Sequence, residues 1–262
     1  MSILNVGGTE AWMANTIQIG GQKTLDQLIK SLFADGTQGL YLNAQDSASI
    51  ADLSSIKDLS GRNNHAAQPN ATSRATIITD PSGYKSLKFD GVDDGYVTPS
   101  INFTNTDKVT VIAAVRKLSD AQGAFVCELS SSVTSNNGTF FVAAPNGAGN
   151  NNFSFASRAT STSLIQSSTN FPSPFSAVLT ANADIAAPIA KIKVNNTEVR
   201  TATNTQGTGS YGNYPLYIGR RGGAISPFNG QIYALLVIGK LLDDATTARI
   251  EKEFAKYIGV TL

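Results

Sequence analysis

The 262 residues include one cysteine, one histidine, one tryptophan and two methionines. The lone Cys127 excludes an intrachain disulfide framework and leaves a structural zinc without a thiolate pair. His65 is the single imidazole, so a catalytic triad or an imidazole-based metal site has no second member. Charge is sparse as well: 20 Lys and Arg face 19 Asp and Glu, for a net charge of +1. A protein that tracks phosphates needs a basic excess, and no nucleic-acid partner is expected. The longest apolar run, 232–239, is far short of the roughly 20 residues of a membrane-spanning helix. No membrane partner is expected. The opening MSILNVGGTEAW has no basic stretch followed by an apolar one. We therefore expect no Sec signal and a product made in the cytoplasm, reaching the outside, if it does, by a route such as assembly into a virus particle.

Glutamate, a strong helix former, occurs only five times, whereas 26 Ser, 25 Thr and 21 Asn fill 72 positions. These three are weak inside helices because their side chains compete for backbone hydrogen bonds. Thr suits strands, while Asn and Ser suit turns. With 41% apolar residues the chain can still bury a core. It reads as mostly β.

Helical spacing occurs near each end. Thr24 can cap a helix whose stripe is Leu25, Leu28, Ile29 and Leu32, closed by Gly36. Asp243 or Asp244 can cap a second helix, 243–258, with Ile250, Phe254, Tyr257 and Ile258 on one face. Between them lie a dozen short strands. The run KVTVIAAVRK, 108–117, is apolar on both faces, as a central strand between two covering layers must be. In AKIKVNNTEVR, Ile192 and Val194 alternate with lysines before Asn195-Asn196, a pair suited to a tight hairpin. Many strands at short spacing with a packed helix imply a β-sandwich. Residues 1–22 carry scattered apolar side chains, Trp12, Met13, Ile17 and Ile19 among them, that cannot build their own core. We therefore divide the chain into an arm, 1–35, that docks or oligomerises, and a sandwich, 36–262.

The run Asp58-Leu59-Ser60-Gly61-Arg62-Asn63-Asn64-His65-Ala66, followed by LKFDGVDDGYV at 87–97, resembles the laminin-G-like, concanavalin A-like jelly-roll domains. The VNNTE hairpin, YIGRRGG and FNGQIYALLVIGKLL resemble the C-terminal half of the same domains. The resemblance spans about residues 36–262 and implies an all-β jelly-roll sandwich. It is weak for function, because this fold hosts lectins, glucanases and inert structural modules. The phrase DKVTVIAAVRKLSD is similar to copies common in bacteriophage tail and other virion proteins. That implies a virion component such as a tail fibre, a tail tip or a capsid decoration. Its partners would be itself, in a homo-oligomer such as a trimer, and other virion proteins.

Each candidate chemistry has a plainer counterpart. A retaining glycosidase needs two carboxyls about 5–5.5 Å apart. The hydrolases of the resembled family carry an E-x-D-x-E strand, and none of Glu10, Glu128, Glu198, Glu251 and Glu253 sits in such a pattern. No enzyme is expected. Asp58, Asp90, Asp93 and Asp94 can serve calcium, which takes six to eight oxygens, or simply build tight turns. For sugar recognition Tyr211 and Tyr214, flanked by Asn213, offer rings for stacking, and Arg220-Arg221 offers a grip for an acidic glycan on a host surface. In the resembled loop His65 caps a turn. Cys127, in AFVCEL, reads as a small buried hydrophobe.

Overall fold

The computed structural model describes residues 23–167 and 169–262. Trp12, Met13, Ile17 and Ile19 lie outside the described residues. Among the described residues α1 (Leu25–Leu32) comes first, followed by β1 (Gly39–Asn43), β2 (Ser55–Ile56), β3 (Ala66–Ala67), β4 (Thr76–Thr79), β5 (Lys85–Asp90) and β6 (Tyr96–Asn102). The next six strands are β7 (Lys108–Lys117), β8 (Phe125–Leu129), β9 (Thr139–Ala143), β10 (Ser154–Arg158), β11 (Thr162–Gln166) and β12 (Phe175–Asp184). β13 (Ile189–Val194), β14 (Thr197–Ala202), β15 (Asn213–Ile218), β16 (Asn229–Ile238) and α2 (Asp244–Tyr257) complete it.

Two eight-stranded sheets face each other. One runs β14-β13-β12-β7-β16-β5-β4, with β1 added along β16; the other runs β11-β10-β9-β8-β15-β6-β3-β2. Strand β16 is long enough to hold two partners on one edge: residues 229–232 pair with β5 and residues 234–238 with β1. The hairpin between β13 and β14 turns at Asn195 and Asn196, both at positive φ, as the sequence pattern requires. β12 is longer than its apolar stretch 177–181 because it pairs with β7 from Phe175 to Asp184.

The main core lies between the sheets and includes Val109, Val111, Ala113 and Val115 of β7. The alternate residues Ile112 and Ala114 face the other way, into a second core under the helices with Ile29, Phe33, Tyr41, Ile250 and Phe254. Both faces of β7 are covered, which is why its sequence does not alternate.

α1 starts in a capping box: Gln27 N–H donates to Thr24 Oγ1, and Thr24 N–H donates to Gln27 Oε1. Ile29 and Phe33 bury themselves on the outer face of the first sheet. The division at residue 35 is therefore corrected. Residues 25–33 belong to the sandwich's own second core, because an apolar stripe beside an uncovered sheet face gains most by packing there. No helix among the described residues is long and apolar enough to cross a membrane.

Candidate functional site

The loop after β2 is built around one carboxylate. Asp58 Oδ1 accepts from Tyr41 N–H at 3.0 Å and Ser60 N–H at 2.9 Å; Oδ2 accepts from Ser60 Oγ at 2.8 Å and Asn64 N–H at 2.9 Å. His65 Nδ1 accepts from Asp58 N–H at 3.0 Å, the turn-capping role expected of it. Gly61 at φ +84° and Asn63 at φ +61° supply the backbone bends. Asp58 is therefore corrected as a calcium candidate: it is buried, saturated by four donors, and absent from the group formed by the other three aspartates.

Asp90, Asp93 and Asp94 do come together, with ligand oxygens all within 4.8 Å of one another. Each also serves the turn. Asp90 Oδ1 accepts from Val92 and Asp93 N–H, Asp94 Oδ2 from Asp90 N–H at 2.9 Å, and Asp93 Oδ2 from Ser73 Oγ at 2.7 Å. Burial, joined by the charges of Asp90 and Asp93, raises the Asp94 pKa above the usual carboxylate range. A calcium ion takes six to eight oxygens, so beyond these three carboxylates it would draw on backbone carbonyls and water. Asp90 and Asp94 brace the turn itself, and Asp93 ties it to Ser73.

The arginine pair is corrected as a grip for ligand. Arg220 donates to the carbonyls of Asp93 at 3.0 Å and Ala224 at 2.7 Å, tying two loops together. Arg221 lies 5.2 Å over the Phe125 ring, places Nε 3.5 Å from Glu128 Oε1, and donates from Nη2 to Ser132 Oγ at 3.3 Å. Both guanidiniums are engaged inside the chain.

Tyr211 is corrected too. It is 1% exposed; its hydroxyl lies 2.6 Å from Ser157 Oγ and its ring meets Phe140 edge-on at 5.5 Å. No face of it is open to a sugar. Tyr214 is half-buried, with its ring over Gly212, where a Cβ would come within 2.1 Å of it. Asn213 is exposed at the start of β15, and Arg220 follows the far end. That strand, about 17 Å at roughly 3.3 Å per residue, keeps the expected sugar-binding residues from forming one site.

The sequence reading missed the role of Glu128. It stands on β8 between Tyr217 and Phe141 as cross-strand partners, on the outer face of the second sheet. The 130–138 loop folds over it, seating Val133 against Phe125, Phe141 and Ala156. Oε1 accepts from Val133 N–H at 2.9 Å, and Oε2 is buried. Burial pushes its pKa up to about 7, against the pull of Val133 N–H and Arg221 toward the ionised form. The positions two residues either side are Val126 and Ser130. No carboxylate flanks Glu128 along its strand. One signal was available: a glutamate in the middle of AFVCEL, a strand buried on both faces.

Two antiparallel sheets with a shared core and these loops define a lectin-like β-sandwich. Residues 90–246 match the family model of the concanavalin A-like lectin/glucanases superfamily, and the chain belongs to that superfamily. Among solved structures it resembles botulinum neurotoxin type C, a toxin that depends on interaction with two ganglioside molecules to get into cells. The identity is 12%, with 86% of this chain and 53% of that one covered, at a TM-score of 0.59. It also resembles the binding domain of Paraclostridial Mosquitocidal Protein 1, at 13% identity, 87% and 53% coverage, and a TM-score of 0.60. A third likeness is domain 4 of AbnA, an extracellular arabinanase from Geobacillus stearothermophilus, in complex with arabinotriose. There the identity is 14%, the coverage 82% and 98%, and the TM-score 0.60. The chain spans about half the length of the toxin chains it matches. At such identities the likeness is one of fold. No curated protein matches the chain in sequence.

Proposed function

We propose that the chain is a non-catalytic carbohydrate-recognition module carried on a virus particle, where it contacts polysaccharide on the host surface. The observation that carries the non-catalytic half is Glu128. Among the described residues it is the one glutamate on a strand of the second sheet; it is capped by Val133 and Arg221, and no carboxylate flanks it on its strand. Hydrolysis with retention needs a pair. Recognition is supported by the company the fold keeps, a toxin that interacts with gangliosides and an arabinanase domain holding arabinotriose. The virion half rests on the resemblance of residues 107–120 to bacteriophage tail and virion copies. In this reading the protein is a tail-fibre, tail-tip or decoration component that associates with itself and with other virion proteins.

The test is a panel of bacterial surface polysaccharides presented to the full-length protein. Saturable binding without release of reducing ends is expected. Release of reducing ends overturns the non-catalytic assignment, and failure to bind any glycan overturns recognition. For the virion half, antibody against the protein should label purified particles; its absence from particles overturns that half alone.

A further inference from the structure

Helix α1 and the turn at Ser60–Arg62 wall an open groove of about 660 Å³. Its charged lining is Lys23, Lys30 and Arg62, and among the described residues no carboxylate lines it. Neither lysine takes part in an ion pair among the described residues. Arg62 donates from Nη2 to the Phe33 carbonyl at 2.6 Å, which fixes its guanidinium at the groove wall. Arg249 donates to the Lys23 carbonyl.

The nearby acids are occupied elsewhere. Asp26 accepts from the Tyr41 hydroxyl at 2.8 Å, Asp35 pairs with Lys240 at 2.9 Å, and Asp58 is saturated inside its loop. With Lys23, Lys30 and Arg62 on its wall and Asp26 and Asp58 close by, the groove keeps a local excess of positive charge in a chain whose net charge is +1. A concave wall of that kind focuses the field on anions. The volume is that of a small-ligand site.

We propose that this groove binds the acidic group of a saccharide, a uronate carboxylate or a sulfate ester, with Lys30 and Arg62 as its charged contacts. The proposal deepens the recognition reading above and rests on it: the module takes acidic glycans. Arg62 supplies directional donors that suit an oxyanion, and Lys30 supplies a mobile point charge.

Calorimetric titration of the full-length protein with a heparin-derived sulfated tetrasaccharide, a galacturonate tetramer and a neutral arabinan fragment tests it. Saturable binding of at least one acidic probe is expected, weakening as salt rises. Lys30→Glu, on the exposed side of α1, should weaken that binding by about tenfold or more. Arg62→Gln should do the same, and Lys30→Glu carries the test by itself if Arg62→Gln does not fold. Arg200→Glu, exposed on edge strand β14, should change it by less than about twofold. Equal losses in Lys30→Glu and Arg200→Glu would overturn the groove. So would a neutral fragment that binds while both acidic probes do not, and recognition itself would then stand. If no glycan binds, neutral or acidic, groove and recognition fall together.

Discussion

Arg221 places its guanidinium 3.5 Å from Glu128 Oε1, on the outer face of the second sheet, in contact with a carboxylate that has no solvent exposure. Burial and pairing act in opposite directions on Glu128, and burial wins: the folded-state pKa is raised to about 7 from 4.5. The folded protein therefore holds the proton more tightly than the unfolded chain. This contribution to stability is fully present below the unfolded value and is lost as pH rises through about 7. The most it can reach is about 3 kcal/mol, at 1.36 kcal/mol per pH unit. Glu128→Gln keeps an acceptor for Val133 N–H and removes the titration. Urea unfolding at pH 5 and pH 8 should show the wild type losing stability relative to the variant between the two. A variant less stable than wild type by more than about 1 kcal/mol at pH 8 would mean that the ion pair outweighs burial.

Lys117 is fully buried, with Nζ 2.6 Å from Asp120 Oδ1 and 5.0 Å from the centre of the Phe153 ring. Burial lowers the lysine's pKa. Burial also works to raise that of Asp120, but Lys117 and the N–H of Ser173 prevail and hold it below the usual range. Asp120→Asn strands the ammonium and should cost about 3–5 kcal/mol. Lys117→Met leaves an aspartate that is still partly solvated and bonded to Ser173 N–H at 2.6 Å, and it should cost less. Chemical denaturation of the two variants ranks them. The reverse order would show that the aspartate, not the lysine, is the group that needs its partner.

At the acidic turn, Asp94→Asn retains an acceptor for Asp90 N–H and removes repulsion from Asp90 and Asp93. Because the folded pKa of Asp94 is raised, its charge opposes folding above that pKa. The variant should be at least as stable as wild type at pH 7 and lose that advantage at acid pH. Asp90→Ala, which removes the acceptor for two backbone N–H groups, should cost about 1 kcal/mol. Millimolar calcium should leave the melting temperature of wild type unchanged; a rise of several degrees would make the turn a cation site.

Much of the fold was legible in the sequence, and particular residues show why. Lys108–Lys117 and the asparagine turn at 195–196 follow local rules of periodicity and positive φ, and the structure matches both. Thr24 and Asp243 cap their helices as their side chains dictate. The candidate site was legible only in part, because exposure is a tertiary property. Tyr211 and Tyr214 stand in the same glycine-rich, turn-like stretch, yet Tyr211 fills a core position against Phe140 and Tyr214 does not. Arg220 and Arg221 look like a free basic pair until the loops holding Asp93 and Glu128 are folded beside them. The groove cations Lys30 and Arg62 are separated by 31 positions and meet only because α1 packs next to the Ser60–Arg62 turn.

Tyr211 and Tyr214 can be separated by experiment. Tyr211→Phe removes the hydroxyl that pairs with Ser157 Oγ inside the core and should cost about 1–2 kcal/mol. Tyr211→Ala opens a cavity and should cost about 3–5 kcal/mol. Tyr214→Ala should cost less than Tyr211→Ala, since its ring is only half-buried. If thermal unfolding ranks Tyr214→Ala as the most harmful, the burial assigned to the two rings is reversed.

The last prediction concerns where the folding unit begins. Ile29 and Phe33 have no solvent exposure and pack with Tyr41, Ile112 and Phe254 on the outer face of the first sheet. A chain starting at Gly36 loses both side chains and uncovers that apolar face, whereas a chain starting at Lys23 keeps them. Phe33→Ala in the full-length protein should cost about 3–5 kcal/mol, comparable to the loss of any large core aromatic. Light scattering and urea unfolding of the two truncations check the rest. The Lys23 start should stay folded, and the Gly36 start should be markedly less stable or aggregate through the uncovered sheet. Equal stability of the two would mean that α1 adds nothing to the core, and residues 25–33 would return to the arm.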